Sequence, residues 1–314
     1  MADLYLITGG AGFIGSSLAH EVLRQGGRVR VFDDFSSGFR ENVTGLGDEG
    51  VEVFEGDLRD FEQVRAAMKG VAYVSHQAAL RSVERSVDDP ISTNAVNVAG
   101  TMHVLAAARE AGVRRVVYAS SSSVYGDSTE LPKHEKLTPS PVSPYAVSKL
   151  AGEHYCRVFA KLYGLETVSL RYFNVFGPRQ SPKSQYAAVV PLFIRAALDG
   201  QPLEIHGDGH QSRDFTYIDN VVQANWRGFH TPGIGGEAFN VACGERHDLL
   251  EIADLIAKFI GRPLERRHTE TRRGDVKHTE ASIDKIRTMT GYEPTIGFEE
   301  GMRITYDALV SGGN

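Results

Sequence analysis

From residue 3 to about residue 175, short β-branched and aliphatic runs alternate with longer stretches in which apolar positions recur every three to four residues. That alternation of periods marks βαβ units around a parallel sheet. It predicts strands at Leu4–Thr8, Arg28–Phe32, Val51–Glu55, Val71–Gln77, Arg115–Ser120 and Glu166–Tyr172. Between them it predicts amphipathic helices at Ile14–Gln25, Phe61–Met68, Thr93–Glu110 and Ala146–Tyr163. Gly112, Gly164 and the Gly26–Gly27 pair follow helices, where a left-handed C-cap belongs. The expected fold class is α/β, with a doubly wound parallel sheet.

Beyond Asn174 the texture changes, and Gly and Pro clusters (Gly177-Pro178, Ser181-Pro182, Gly207 to Gly209, Gly233 to Gly236) separate shorter elements. A smaller, mixed α/β second domain is expected at about 174–214 and 243–314. Residues 1–173 form the first domain, and about 215–242 return to it through a short strand at Phe239–Val241. Helices are expected at Tyr217–Gly228 and Leu249–Phe259, and Ser311 to Asn314 are expected to fray.

A chain of 314 residues accommodates two such domains, and 41% hydrophobic with 24% charged residues suits a globular protein. The net charge is −6 and no basic block exceeds a pair, which argues against a nucleic-acid or anionic-membrane partner. Leu4 to Ile7 runs into Gly9 without a basic flank, so neither a signal peptide nor a membrane anchor is expected, and the cytoplasm is the expected compartment. Cys156 and Cys243 have no partner at ligand spacing and are expected to be buried small hydrophobes. His206, His210, His247 and His278 also lack metal spacing, so no metal is expected.

Candidate chemistry begins where the first strand ends. Gly9, Gly12 and Gly15, with Phe13 and Ile14 between, form a Gly-rich turn that opens directly into a helix. Such a turn aims backbone N–H groups and a helix N-terminus at a pyrophosphate, or else is simply tight. The first reading is favoured by Asp33, 21 residues past Gly12 at the end of the second strand, where a carboxylate accepts from an adenosine ribose. A carboxylate there repels a 2′-phosphate, so NAD is expected over NADP. Asp57 either flanks the adenine with Leu58 or caps the helix before Phe61.

A second candidate is Tyr145 with Lys149, four residues on and hence on the same helical face. A free phenol, with a pKa of about 10, is a poor base at neutral pH. A nearby ammonium and a cationic nicotinamide would both favour phenolate, so Lys149 is expected to lower the pKa of Tyr145. The serine run Ser120 to Ser123 ends a predicted strand about 24 residues earlier.

Together, Gly9-x-x-Gly12-x-x-Gly15, Ser121 ahead of Val124-Tyr125-Gly126, and Tyr145-x-x-x-Lys149 resemble the extended short-chain dehydrogenase/reductase family. Arg171-Tyr172-Phe173-Asn174, Arg213-Asp214-Phe215 and Arg272-x-Gly274-Asp275 extend the resemblance, over nearly the whole chain, to its nucleotide-sugar 4-epimerases. The resemblance implies a Rossmann domain with a nucleotide-sugar-binding domain, and NAD that stays bound and is regenerated in each turnover. It places Ser36, Ser37, Gly38, Asp57, Leu58, Gln77, Ala78, Ala79, Tyr145, Lys149 and Tyr172 against the cofactor, beside the glycine turn and Asp33. Ser121, Tyr145 and Lys149 are implied to be catalytic. Arg81, Ser121, Ser123, Asn174, Ala188, Val189, Arg213, Arg272, Asp275 and Thr279 are implied to meet a UDP-sugar substrate. Asn174, Arg213 and Arg272 would hold its diphosphate and Asp275 a ribose hydroxyl, unless they form surface ion pairs.

Similar dehydratases carry Asp-Glu after the catalytic hydroxyl, and similar decarboxylases carry a Glu before Val-Tyr-Gly. Ser122 and Ser123 stand there instead, and a hydroxyl transfers protons poorly near neutral pH. C4 epimerisation is therefore expected, with an unusual dehydratase or decarboxylase and a non-catalytic NAD-binding scaffold as the alternatives. Small Thr279 and Ala188 leave room for a 2-acetamido group, whereas Arg81 resembles the basic residue of UDP-galactose 4-epimerases. UDP-N-acetylglucosamine ranks first, UDP-glucose second, and UDP-glucuronate, whose carboxylate Arg81 or Lys183 could pair, third. The resemblance also implies a homodimer through a four-helix bundle of Thr93–Glu110 and Ala146–Tyr163. Ala106 to Ala108 would permit close helix approach there, or would serve the internal core.

Overall fold

The computed structural model describes residues 2–46, 50–180, 188–270 and 277–311. In chain order the first elements are β1 (Leu4–Thr8), α1 (Phe13–Arg24), β2 (Arg28–Asp33), α2 (Arg40–Thr44), β3 (Val51–Glu55), α3 (Phe61–Ala67), β4 (Tyr73–His76), α4 (Val83–Asp88), α5 (Pro90–Asn94), α6 (Gly100–Glu110), β5 (Arg115–Ser121) and α7 (Pro144–Tyr163). They continue with β6 (Glu166–Tyr172), β7 (Val175–Phe176), α8 (Val189–Leu198), β8 (Leu203–His206), β9 (Ser212–Arg213), β10 (Thr216–Tyr217), α9 (Ile218–His230), β11 (Glu237–Val241), β12 (His247–Asp248), α10 (Leu249–Ile260), β13 (Arg266–Thr269), α11 (Asp284–Thr290) and α12 (Phe298–Ser311).

Seven parallel strands form the main sheet in the order β11-β6-β5-β4-β1-β2-β3, so the chain winds outward from β1 in both directions. The return strand expected at Phe239–Val241 is β11, paired with β6 from Glu237↔Val168 to Val241↔Tyr172. Strand alternation divides the core. Ile7, Val29, Val31, Val117 and Leu170 face one side with Leu18, Val22 and Val221. Leu6, Phe32, Val74, Val116 and Tyr118 face the other with Val64, Leu105 and Phe159. The first cluster runs on without a break to Phe298 and Met302. The remaining strands pair in twos: β7 with β10, β8 with β13, and β9 with β12.

The structure decides four points of the sequence reading. The helix expected over Thr93–Glu110 is broken by a π turn at Ala95–Ala99 between α5 and α6. Its apolar periodicity passes for a continuous helix, but the wider turn serves the side chain of Asn97, described below. Ala107 and Ala108 lie in the core, at 1% and 0% exposure, so they are not available to a dimer face. The cap of α3 is Asp60, whose carboxylate accepts from the backbone N–H groups of Glu62 and Gln63, and not Asp57. Cys156 is buried as expected, while Cys243 is partly exposed. Among the described residues no helix is long and apolar enough to cross a membrane, and no group of three His, Cys, Asp or Glu side chains is placed to hold a metal.

Candidate active site

A cavity opens at the C-terminal ends of β1, β2 and β4, where ligands bind in open α/β sheets. Gly9 has φ +67, and a Cβ there would stand 2.8 Å from both Cα and N of Ala78. A Cβ on Gly15 would stand 2.2 Å from the Gly9 carbonyl oxygen. The turn therefore requires glycine at both positions. Helix α1 starts after Gly12 with no side-chain cap and no acidic residue in its first turn. Its N-terminal N–H groups and positive dipole end are left facing the cavity, a fit to a pyrophosphate.

Asp33, 7% exposed, ends β2 and accepts from the backbone N–H of Ala11 (2.9 Å) and Phe35 (2.8 Å). Burial raises its pKa while the two N–H groups oppose the rise, and each carboxylate oxygen keeps a lone pair for a ribose hydroxyl. Every residue expected at the cofactor from Gly9 to Ala79 lines this cavity: Gly9, Gly12 to Gly15, Asp33, Ser36 to Gly38, Asp57, Leu58 and Gln77 to Ala79. Asp57 lies on the wall with its carboxylate paired to Arg59 at 2.5 Å. Arg81, expected at the substrate, lines the same cavity. Tyr172 is set apart: its phenol is buried, accepts from Asn225 Nδ2 at 2.8 Å, and reaches the wall only through Gln77.

Below the cradle, β4 ends in buried His76, with Thr8 Oγ1 2.7 Å from Nδ1 and Thr101 Oγ1 2.9 Å from Nε2. Thr101 gives its one hydroxyl proton to Asn97 O at 2.6 Å. Nε2 must then carry the ring proton, and Nδ1 accepts from Thr8, which accepts in turn from the Ala78 N–H. Burial, then the nearby Lys149 charge, pushes the His76 pKa down to about 3 and keeps the ring neutral.

The catalytic candidates converge where β5 meets α7. Ser121 Oγ accepts from the Ser123 N–H (3.2 Å) and the Ser123 hydroxyl (2.9 Å), which frees its own proton to be donated outward. Ser123 thus braces Ser121. Tyr145 lies at the N-terminus of α7, and Lys149, one turn on, donates from Nζ to Ala119 O at 2.8 Å. Burial lowers the Lys149 pKa to about 8. The expectation that Lys149 lowers the Tyr145 pKa is not met: burial raises it, and the opposing influences are a hydrogen bond from Ser121 and the charge of Arg81.

Asn97 joins α7 to the cavity. Its Oδ1 accepts from Leu80 N (2.8 Å), and its Nδ2 donates to Leu80 O (3.0 Å) and Ser148 Oγ (3.0 Å). Leu80 lines the cavity and Ser148 adjoins Lys149. A second cavity between β7, α8 and β9 is lined by Asn174, Ala188, Val189 and Arg213. Asn174, at φ +23, donates to Asp214 O at 3.2 Å. Thr279 borders this region through its N–H to Ser212 O at 3.0 Å, and its buried hydroxyl has no hydrogen-bond partner among the described residues. Arg272, Asp275 and Lys183 lie outside the described residues.

With this geometry in place, comparison with known proteins decides the family. Residues 5–242 match the model of the NAD dependent epimerase/dehydratase family. The chain belongs to that family. It is 39% identical over 306 residues to the UDP-glucose 4-epimerase of Mycolicibacterium smegmatis, covering 96% of this chain and 97% of that one. It superimposes with a TM-score of 0.94 and 35% identity on the UDP-N-acetylglucosamine 4-epimerase from Methanobrevibacter ruminantium, solved in complex with UDP-N-acetylmuramic acid, over 99% of this chain and 100% of that one. The UDP-glucose 4-epimerase of Thermus thermophilus, solved with NAD, superimposes at 0.89 with 38% identity, over 98% and 99%.

Membership in this NAD-dependent family agrees with the cradle, in which the uncapped helix end and Asp33 fit a dinucleotide lacking a 2′-phosphate. The epimerase fold also brings in two residues that the sequence does not flag. Asn97 is a fully buried amide inside an apolar helical stripe, a pattern that signals a specific partner without naming it. Arg179, at φ +68, comes from the far side of β7 to line the cavity and donates to Ser17 Oγ at 3.0 Å. Its distance in sequence from the glycine turn hides it.

Proposed function

We propose that the protein interconverts the C4 epimers of a UDP-hexose through a transient 4-keto sugar, with UDP-N-acetylglucosamine as the first substrate to test, UDP-glucose second and UDP-glucuronate third. The observation that carries this reading is the Ser121–Tyr145–Lys149 convergence beside a dinucleotide cavity, with hydroxyls at positions 122 and 123 where elimination would need a carboxylic acid pair. NAD, held by the glycine turn, the N-terminus of α1 and Asp33, would supply a reversible hydride acceptor for C4 of the sugar.

Tyr145, as the phenolate that the Ser121 hydroxyl, the Arg81 charge and a cationic nicotinamide favour, takes the proton of the sugar 4-hydroxyl and later gives it back. Ser121, held as a donor by Ser123, hydrogen-bonds the same oxygen. Lys149 fixes the end of β5 through Ala119, one helical turn from the phenol. Asn174 and Arg213 take the diphosphate, while small Ala188 and Thr279 leave the sugar's 2-substituent unobstructed. Residues about 174–214 and 243–314 serve as the nucleotide-sugar-binding domain.

Incubation with each of the three UDP-sugars, without added NAD, tests the proposal by chromatography and mass. A same-mass epimer from one of them supports it, and a product lighter by water or CO2 overturns it.

The same reading includes a homodimer through α7 and the α5–α6 segment. Support comes from an apolar stripe on α7, with Val147, Tyr155, Val158 and Leu162 exposed, and from Ile91 at 82% exposure on α5. A Val158→Asp/Leu162→Asp variant should sediment as a monomer where the parent sediments as a dimer. A monomeric parent overturns the assembly.

A further inference from the structure

Behind the catalytic residues lies a buried polar chain that no step of the mechanism uses. Tyr145, Lys149 and Glu153 follow one another at spacing four on α7 and so form one row. Lys149 grips the backbone of β5 at Ala119 O, and Glu153 Oε1 accepts from the hydroxyl of Ser120 at 2.5 Å. Two consecutive residues of β5, immediately before Ser121, are thus fastened to the catalytic helix by two consecutive members of this row.

Glu153 is held in turn from β6. Arg171 Nε donates to Oε1 at 2.9 Å and Nη2 to Oε2 at 2.7 Å, a two-pronged geometry, while Nη1 donates to the Tyr125 phenol at 2.9 Å. Tyr125 donates to Asn240 Oδ1 at 2.6 Å on β11, and Asn240 Nδ2 donates to Lys133 O (2.9 Å) and Ser282 O (3.1 Å). Ser120, Glu153, Arg171, Tyr125 and Asn240 are all buried.

A buried ion pair is a poor device for stability, because apolar side chains of similar volume often do as well or better. Its strength is directional: it fixes angles and distances that apolar contacts leave loose. From its place one residue from Ser121 and one turn from Lys149, we infer that the Glu153–Arg171 pair positions Ser121 against Tyr145, with Ser120 as the link. These are positioning residues, acting through β5 and not on the substrate. The inference rests on the epimerase reading above.

The test uses the full chain with its retained NAD and the UDP-sugar found to turn over. Ser120→Ala removes only the link, and should lower kcat about fivefold or more with KM and NAD content unchanged, the mark of misaligned groups. Glu153→Met/Arg171→Met replaces both charges and leaves neither unpaired. It should melt near the parent, hold the same NAD, and lose kcat about tenfold or more, since a displacement of about 1 Å can cost about a hundredfold.

Parent-like kcat in a folded double variant overturns the inference and leaves the pair a packing element. Should the double variant not fold, Ser120→Ala decides alone, and parent-like kcat in it overturns the inference equally. A parent that epimerises none of the sugars overturns the functional reading and this inference with it, and is recognised because parent and variants are then alike.

Discussion

Ser123 gives both of its donors, the backbone N–H and the hydroxyl, to one acceptor, Ser121 Oγ. With both lone pairs taken, the Ser121 hydroxyl can act only as a donor toward the phenol and the sugar oxygen. Ser121→Ala should therefore lower kcat about a hundredfold, the scale of losing an active-site donor. Ser123→Ala releases the brace and should lower kcat about tenfold less severely than that, leaving NAD content unchanged. Steady-state kinetics on both variants checks the order, and an equal loss in the two would contradict it.

Tyr145→Phe should abolish turnover while bound NAD and melting temperature stay at parent values. Measured turnover above background in that variant removes the phenol from the mechanism.

Lys149 carries its charge at a cost. Burial brings its pKa down from the ordinary 10.5 to about 8 in the folded protein, so below pH 8 the burial penalty is fully present. Between about pH 8 and 10.4 only the unfolded chain keeps the proton, and stability from this group should rise with pH. The full difference is about 3 kcal/mol at 1.36 kcal/mol per unit. Lys149→Met should be inactive, at least as stable as the parent at pH 7, and without that rise. Denaturant titrations at pH 7 and pH 9.5 measure both.

Asp214 is fully buried and accepts from Cys243 N and Gly244 N at 3.0 Å and Ala281 N at 3.2 Å, yet burial lifts its pKa to about 7. The raised value means that its contribution is greatest below about pH 3.8, the unfolded pKa, and is lost as pH climbs through 7. Asp214→Ala leaves three N–H groups without an acceptor and should cost several kcal/mol, at about 1–3 kcal/mol each. Asp214→Asn keeps an acceptor and should cost less at neutral pH. Equal losses by thermal or chemical denaturation would refute this account.

The glycine turn separates two roles. A Cβ on Gly15 would sit 2.2 Å from Gly9 O, whereas one on Gly12 meets the same atom at 3.2 Å. Gly15→Ala should lower the melting temperature clearly and empty the NAD site; Gly12→Ala should keep most of the stability while still weakening NAD retention. Differential scanning calorimetry and bound-NAD content distinguish the two.

What could be read from the chain without a structure is what it encodes locally. The glycine turn, Asp33 at a strand end, and Tyr145 with Lys149 one helical turn on are short-range patterns with a physical cause, and each lies where its pattern indicated. Side chains whose partners are far away in sequence were not legible. Asn97 joins Leu80 to Ser148, Arg179 approaches Ser17, and Glu153 on α7 meets Arg171 on β6. The surroundings of Arg81 and Tyr172 were not legible for the same reason: which wall a side chain faces depends on packing that no local period records. The electrostatics of Tyr145 follow from burial, which the Tyr–Lys spacing does not contain.

The π turn at Ala95–Ala99 also works as a one-residue insertion between α5 and α6. Each residue of an α-helix advances about 100° around the axis, and the wider turn spreads one extra residue over nearly the same rotation. Deleting a residue within it would close the bulge while Val104, Leu105 and Ala108 kept their places in the core, and the loss would fall on Asn97, which could no longer face both Leu80 and Ser148. The extra residue thus serves the cavity wall and not the packing of α6.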